Sequence, residues 1–311
     1  MKHTIKDWII ATRPWSFPAS AMPVIVTVAW LFGQQVDGSY AGYADTTSDV
    51  NWWNGLLALI NIVLVHAAGN VWSDYFDYKR KVDRDDTYGV KTLTSGQFTS
   101  QQFLRLSVGL QVVAVAMGLW LVWQTGLTLL WIGLAGIALS LCYPPLKYHA
   151  LGDLVIFLCY AVLPVAGTSF VCTGSIRWEA LWMIVPVGLI TVGILHANNT
   201  RDIPHDRRAD ITTLAMHAGP KLSGWLYIGE VLLVPYPWAM AYILLGTTAS
   251  YVCVLLIITL PLAIKNAKLM RQFIRQPEAE TIARLDERTA QQQLGFSFVY
   301  AALLAISHFF A

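Results

Sequence analysis

Charge is the scarcest feature of this chain. Asp, Glu, Lys and Arg make up 13% of its 311 residues, where an ordinary soluble domain holds about a quarter. A soluble fold of this length needs more polar surface, and 56% hydrophobic residues with a mean hydropathy of +0.51 argue against one. The net charge of +2 carries no indication of nucleic acid, and no such partner is expected. Cysteine is also rare. Cys142, Cys159, Cys172 and Cys253 lie in or at the ends of apolar segments without metal-ligand spacing, so they read as buried hydrophobes. No small-residue cleavage site follows a short apolar core, so no removable signal peptide is expected. No Pro/Gly/Ser linker or low-complexity run divides the chain, and a single membrane domain over 1–311 is expected.

What the chain has in quantity is long apolar runs. Windows of about 20 residues, almost free of charge, are what a bilayer crossing requires. Nine recur: Phe17–Leu31, Trp53–Val71, Phe103–Trp123, Leu127–Tyr143, Leu154–Cys172, Ala180–His196, Leu222–Leu245, Ser250–Ile264 and Leu294–Phe310. They predict an all-α polytopic membrane protein with nine transmembrane helices. With the N-terminus placed inside, every Lys and Arg except Arg177 falls on the inside. By the positive-inside rule this predicts a cytoplasmic N-terminus in the cytoplasmic membrane and a C-terminus outside. The segment "KNAKLMRQFIRQPEAETIARLDERTAQQQ", between the eighth and ninth spans, carries apolar residues at helical spacing and reads as a surface helix in the headgroups.

The remaining charge is concentrated. "NVWSDYFDYKRKVDRDD" begins at Asn70, where the second span ends, and "NNTRDIPHD" ends the sixth. Asn70 and Asp74 are four residues apart, as are Asn198 and Asp202; Asp77 and Asp206 follow. Residues three or four apart share a helix face, so each set projects together, with Pro204 a possible start of a new turn. Acids at span ends are disfavoured without a function. Two carboxylate clusters facing each other suit Mg²⁺, which binds through one or two carboxylates plus substrate phosphates. Arg201, Arg207, Arg208 and Lys91 are near in sequence to meet phosphate oxygens. Asp85 and Asp86 read as solvated loop charges. His66, His196 and His205 read as packed or interfacial residues.

With these residues in place, the sequence resembles the UbiA superfamily of intramembrane aromatic prenyltransferases over nearly its whole length. It is most similar to the 1,4-dihydroxy-2-naphthoate prenyltransferases of menaquinone synthesis. "ATRPWSFPASAMPV" resembles their N-terminal stretch. "SDYFDYKRKVD" resembles the first aspartate motif, with Asp83 as its last acid, and "NNTRDIPHDRRADITTLAMHAG" resembles the second. "LGDLVIFLCYAVLPVAGTSFVCTG" resembles their fifth-helix signature, with Asp153 where Glu is common. Some positions depart from the pattern. Ser73 replaces an Asn, Lys81 stands where the naphthoate enzymes have Gly, and Asp210-Ile211 replaces Gly-Lys. "YPPLK", with Tyr143 and Lys147, is more like the benzoate branch.

The resemblance implies a UbiA-type bundle of nine helices. It implies Mg²⁺-dependent transfer from a polyprenyl diphosphate to an aromatic acceptor acid within the lipid bilayer. It implies Asp74, Asp77, Asp202 and Asp206 as catalytic residues, joined by Asp83 as metal ligands. It implies Asn70, Lys91, Asn198, Arg201, Arg207, Arg13, Tyr143 and Lys147 as substrate contacts. Among the many aromatic residues, Tyr75, Phe76, Tyr78, Tyr143 and Tyr160 are the candidates to shield an allylic cation. Three other readings stay open: another acceptor within the superfamily, an inactive relative, and a secondary transporter, whose sites usually lie at the bilayer midplane.

Overall fold

The computed structural model describes residues 3–36, 50–82, 92–246 and 250–306. Among these residues twelve α-helices follow one another: α1 (Ile5–Ala11), α2 (Pro18–Val36), α3 (Trp52–Lys79), α4 (Ser100–Thr125), α5 (Leu127–Lys147), α6 (Gly152–Phe157), α7 (Leu163–Thr173), α8 (Glu179–Arg208), α9 (Leu214–Ile228), α10 (Pro235–Gly246), α11 (Leu260–Arg275) and α12 (Leu285–Ile306). A wide π turn at Leu158–Val162 joins α6 to α7, and another at Gly229–Leu233 precedes α10. The described residues contain no strand; one isolated bridge pairs His149 with Thr212.

Local signals account for several helix starts. Thr4 and Asp7 form a capping box at α1, and Thr99 and Gln102 do the same at α4; each satisfies backbone N–H groups that have no partner within the helix. Eight of the described helical segments are long and apolar enough to cross a membrane. The ninth predicted span falls on α12, which packs against α2 and α8; residues 307–311 lie outside the described set. The predicted surface helix at 265–293 is corrected. Its first part continues α11 and buries Ala267, Met270 and Phe273, and its last part opens α12. Pro204 does not break α8, which runs on to Arg208.

The core lies on one side of the bundle. Val26 and Trp30 of α2, Met183, Ile184, Val187 and Ile190 of α8, and Phe296 and Tyr300 of α12 pack together, all buried. Glycine permits this closeness, as small residues do where helix backbones approach. A Cβ at Gly188 would lie 2.7 Å from Ala161 Cβ, and one at Gly193 would lie 2.6 Å from Val231 Cγ1. Helices α4 and α5 lie on the other side and bury few of their residues. Their outward Trp120, Trp123 and Trp131 belong to the surface that meets lipid.

Candidate active site

The two motif-bearing helices end the same way. At the end of α3, Lys81 takes a left-handed φ of 58°, Val82 N–H donates to Asp77 O at 2.8 Å and Lys81 N–H donates to Tyr78 O at 3.1 Å. At the end of α8, Asp210 has φ 54°, Ile211 N–H donates to Asp206 O at 3.3 Å and Asp210 N–H donates to Arg207 O at 3.4 Å. Both are Schellman caps, and Asp77 and Asp206 hold the same place in them. Aligned on the caps, Asn70 matches Asn199, one residue beyond the Asn198 that sequence spacing pairs with it.

Both ends open onto a cavity of about 790 Å³. Asp77, Asp202 and Asp206 line its mouth with Arg13, Asn70, Tyr143, Lys147, Asn198 and Arg201. The charges of Lys147, Asp202, Asp77 and Arg201 all act on Asp206, so the tertiary structure brings the two motifs together. Asp77 accepts from Lys147 Nζ at 3.3 Å and from the Tyr148 hydroxyl at 2.6 Å. Burial, reinforced by Asp77, holds the Tyr148 phenol far above its ordinary range, so the group stays a donor. Buried Asp74 is paired with Arg13. Asn70 Nδ2 donates to Thr12 O at 3.0 Å and to Ser16 Oγ at 2.9 Å.

Arg201 reaches across to α12. Its Nη1 donates to Ala283 O at 3.0 Å and lies 3.3 Å from Asp286 Oδ1, while Nε and Nη2 each donate to Asp202 at 2.8 Å. Nη2 also donates to Asn198 Oδ1 at 2.8 Å. Its position is that of a strut that orients Asp202. Arg207 is exposed and does not line the cavity. Asp83 and Lys91 lie outside the described residues. Of the five aromatic candidates, Tyr143 and Tyr160 line the cavity. Tyr75 and Phe76 instead pack around Trp72, and Tyr78 is exposed.

The carboxylates Asp77, Asp202, Asp206, Asp286 and Glu287 face three cations, Arg13, Lys147 and Arg201, among the cavity's lining residues. This excess of acid oxygens fits a hard divalent cation held through oxygen ligands. Away from the mouth the walls turn apolar, with Ile62, Val65, Leu129, Ile137 and Leu163.

A charged, oxygen-rich mouth on an apolar membrane cavity matches one family. The model of the UbiA prenyltransferase family aligns with residues 39–285. The chain belongs to that family. It is 31% identical over 312 residues to "UbiA prenyltransferase domain-containing protein 1" of Mus musculus, covering 98% of this chain and 86% of that one. The Drosophila melanogaster homolog is 30% identical, with 98% and 80% covered. Among solved structures, a UbiA homolog from Aeropyrum pernix K1 superposes with a TM-score of 0.60 at 14% identity, covering 92% of this chain and 95% of that one. One from Archaeoglobus fulgidus bound to DMAPP and Mg²⁺ gives 0.58 at 12% identity, covering 96% and 99%.

As a member of the UbiA prenyltransferase family the chain is an enzyme, and the transporter reading falls. Two departures from the family pattern gain a physical account. Lys81 and Asp210, which stand where glycine is usual, are the two left-handed cap residues. Glycine occupies that conformation without steric cost, and other residues lose about 1–2 kcal/mol.

Sequence spacing missed a buried polar cluster next to this UbiA site. His196, fully buried, lies 2.7 Å from Asp153 Oδ2, 3.4 Å from Glu230 Oε1 and 2.9 Å from Ser223 Oγ. Asn199 lines the cavity and donates to Asp153 Oδ1 at 3.4 Å. The cluster thus links the fifth-helix signature to the second motif. Acids inside apolar spans were its only sequence signal. Asp286 and Glu287 were missed because they sit in the segment read as a surface helix.

Proposed function

We propose that this enzyme transfers a polyprenyl group from a polyprenyl diphosphate to 1,4-dihydroxy-2-naphthoate with loss of the carboxylate, giving demethylmenaquinol. The N-terminus and the site mouth face the cytoplasm in this reading. One observation carries it: two aspartate-bearing helix ends meet at the polar mouth of an apolar cavity. The orientation rests on the basic residues, and the acceptor on the first motif and the fifth-helix signature.

Asp77, Asp202 and Asp206 would hold Mg²⁺, with Asp74 one turn before Asp77 on α3, and the first motif offers Asp83 as a further ligand by sequence. When bound, the ion would neutralise charge on the diphosphate. Arg13 and Lys147 face the same volume and neutralise charge that develops on the leaving group as the allylic C–O bond breaks. Arg201 keeps Asp202 turned toward the mouth. The apolar walls exclude water from the cation, and the rings of Tyr143 and Tyr160 face it, worth about 0.5–2 kcal/mol each. The ring carbon that bears the carboxylate forms the new C–C bond, and CO₂ leaves with restoration of aromaticity.

The test is a membrane assay with farnesyl diphosphate, Mg²⁺ and, separately, 1,4-dihydroxy-2-naphthoate, 4-hydroxybenzoate and homogentisate. The expected product is a decarboxylated prenyl-naphthol, reduced about 100-fold or more in Asp77→Ala and Asp206→Ala. Product with 4-hydroxybenzoate alone would replace the naphthoate assignment. Undiminished product in both variants would remove the acids from the mechanism.

A further inference from the structure

One face of α5 runs the length of the cavity. Leu129, Gly133, Gly136, Ser140, Tyr143 and Lys147 all line it. Their spacing alternates between four and three residues, which keeps them on one side of a helix. The stripe begins at the cationic mouth with Lys147 and ends in apolar wall at Leu129. At 1.5 Å of rise per residue, Gly136 lies about 16 Å from Lys147, Gly133 about 21 Å and Leu129 about 27 Å.

The two glycines differ from those in the core. A Cβ on Gly133 would meet nothing within 4 Å, and one on Gly136 would reach only Leu163 Cδ1, at 3.8 Å. Leu163 is itself a wall residue of the cavity. At Gly224, where α9 meets α11, a Cβ would lie 2.5 Å from Ile274 Cγ1. Close helix packing therefore explains Gly224 and does not explain Gly133 or Gly136. What they leave is open cross-section in the apolar cavity, at two depths from the phosphate end.

We propose that Gly136 and Gly133 set the length of isoprenoid this enzyme accepts, as two graduations of a ruler along α5. The inference rests on the proposed use of a prenyl diphosphate whose head group sits at Lys147 and whose tail runs along α5. A side chain added at Gly136 blocks the cavity nearer the mouth than one added at Gly133. The two variants should therefore exclude different donors. A misfit of about one methylene in an apolar pocket discriminates by about 10–200-fold.

The experiment uses the full chain in membranes and in detergent, as wild type, Gly136→Leu and Gly133→Leu. Dimethylallyl, geranyl, farnesyl and geranylgeranyl diphosphates are the probes, with Mg²⁺ present. Two readouts are taken: kcat/KM with the acceptor, and protection against thermal unfolding by each diphosphate, which needs no acceptor. In Gly136→Leu, kcat/KM and protection with farnesyl and geranylgeranyl diphosphate should fall about tenfold or more relative to the two short donors. In Gly133→Leu only the geranylgeranyl donor should be lost. Unchanged handling of the short donors shows that each variant is folded. Graded loss of protection without turnover of dihydroxynaphthoate would support the ruler and reject the acceptor. A parallel fall for all four donors, or no change for any, would overturn the ruler.

Discussion

The side of the bundle built on α8 and the side built on α4 and α5 use similar amino acids for opposite ends. The apolar window of α8 is 67% buried, whereas that of α5 is 6% buried. Both carry glycines. Val231 crowds Gly193 of α8 and Ile274 crowds Gly224 of α9. On α5, Gly133 faces open space and Gly136 would meet only Leu163 Cδ1, at 3.8 Å. The first side is a packed anchor, and the second is one wall of a container. The mouth joins Asp77 from α3, which packs against α4, to Asp206 from α8.

Four substitutions test that contrast. The largest loss is expected for His196→Ala. It strips a fully buried partner from Asp153 and Glu230, and breaking such a buried set costs about 3–5 kcal/mol. Thermal unfolding in detergent should show a large drop in Tm; an unchanged Tm would mean that the cluster does not anchor α8. Gly193→Leu comes next. Overpacking costs about 1–3 kcal/mol, and the clash here is with Val231 in the second π turn. Gly133→Ala should cost nothing and gain up to about 0.5–1 kcal/mol from the loss of a helix-interior glycine, read from the same melts. Equal losses at Gly193 and Gly133 would abolish the distinction between the two sides. Lys81→Gly is expected to act in the stabilising direction. Relief of the left-handed cap, about 1–2 kcal/mol, is offset by about 0.4–1 kcal/mol of added unfolded-chain entropy. A slight gain in Tm would assign the departure from the family pattern to backbone strain, and a clear loss would assign a role to the lysine side chain.

Much of this was legible before the fold was known, because the signals are local. Hydropathy needs only neighbouring residues, and eight of the nine predicted windows fall on helices that can cross a bilayer. The acids at the ends of α3 and α8 could be singled out because charge is conspicuous against apolar spans. Other features were hidden by distance in sequence. Asp153, His196 and Glu230 are spread over more than seventy residues, and no spacing rule joins them. The role of Asn199 was obscured by Asn198 beside it until the two caps could be aligned. Arg201, read as a phosphate contact, reaches Ala283 and Asp286 only because α12 lies against α8. Arg207 was grouped with it by proximity along the chain, yet on the helix it turns to the outside.

The class of protein, the spans and the two aspartate motifs are therefore written in local patterns, since periodicity and solvation act over a few residues. Which acids share a cavity, which arginine is a strut, and which glycines are filled rather than open emerge from the packed bundle. Those outcomes depend on which helix faces come into contact, and contact between distant segments is set by packing the whole bundle at once.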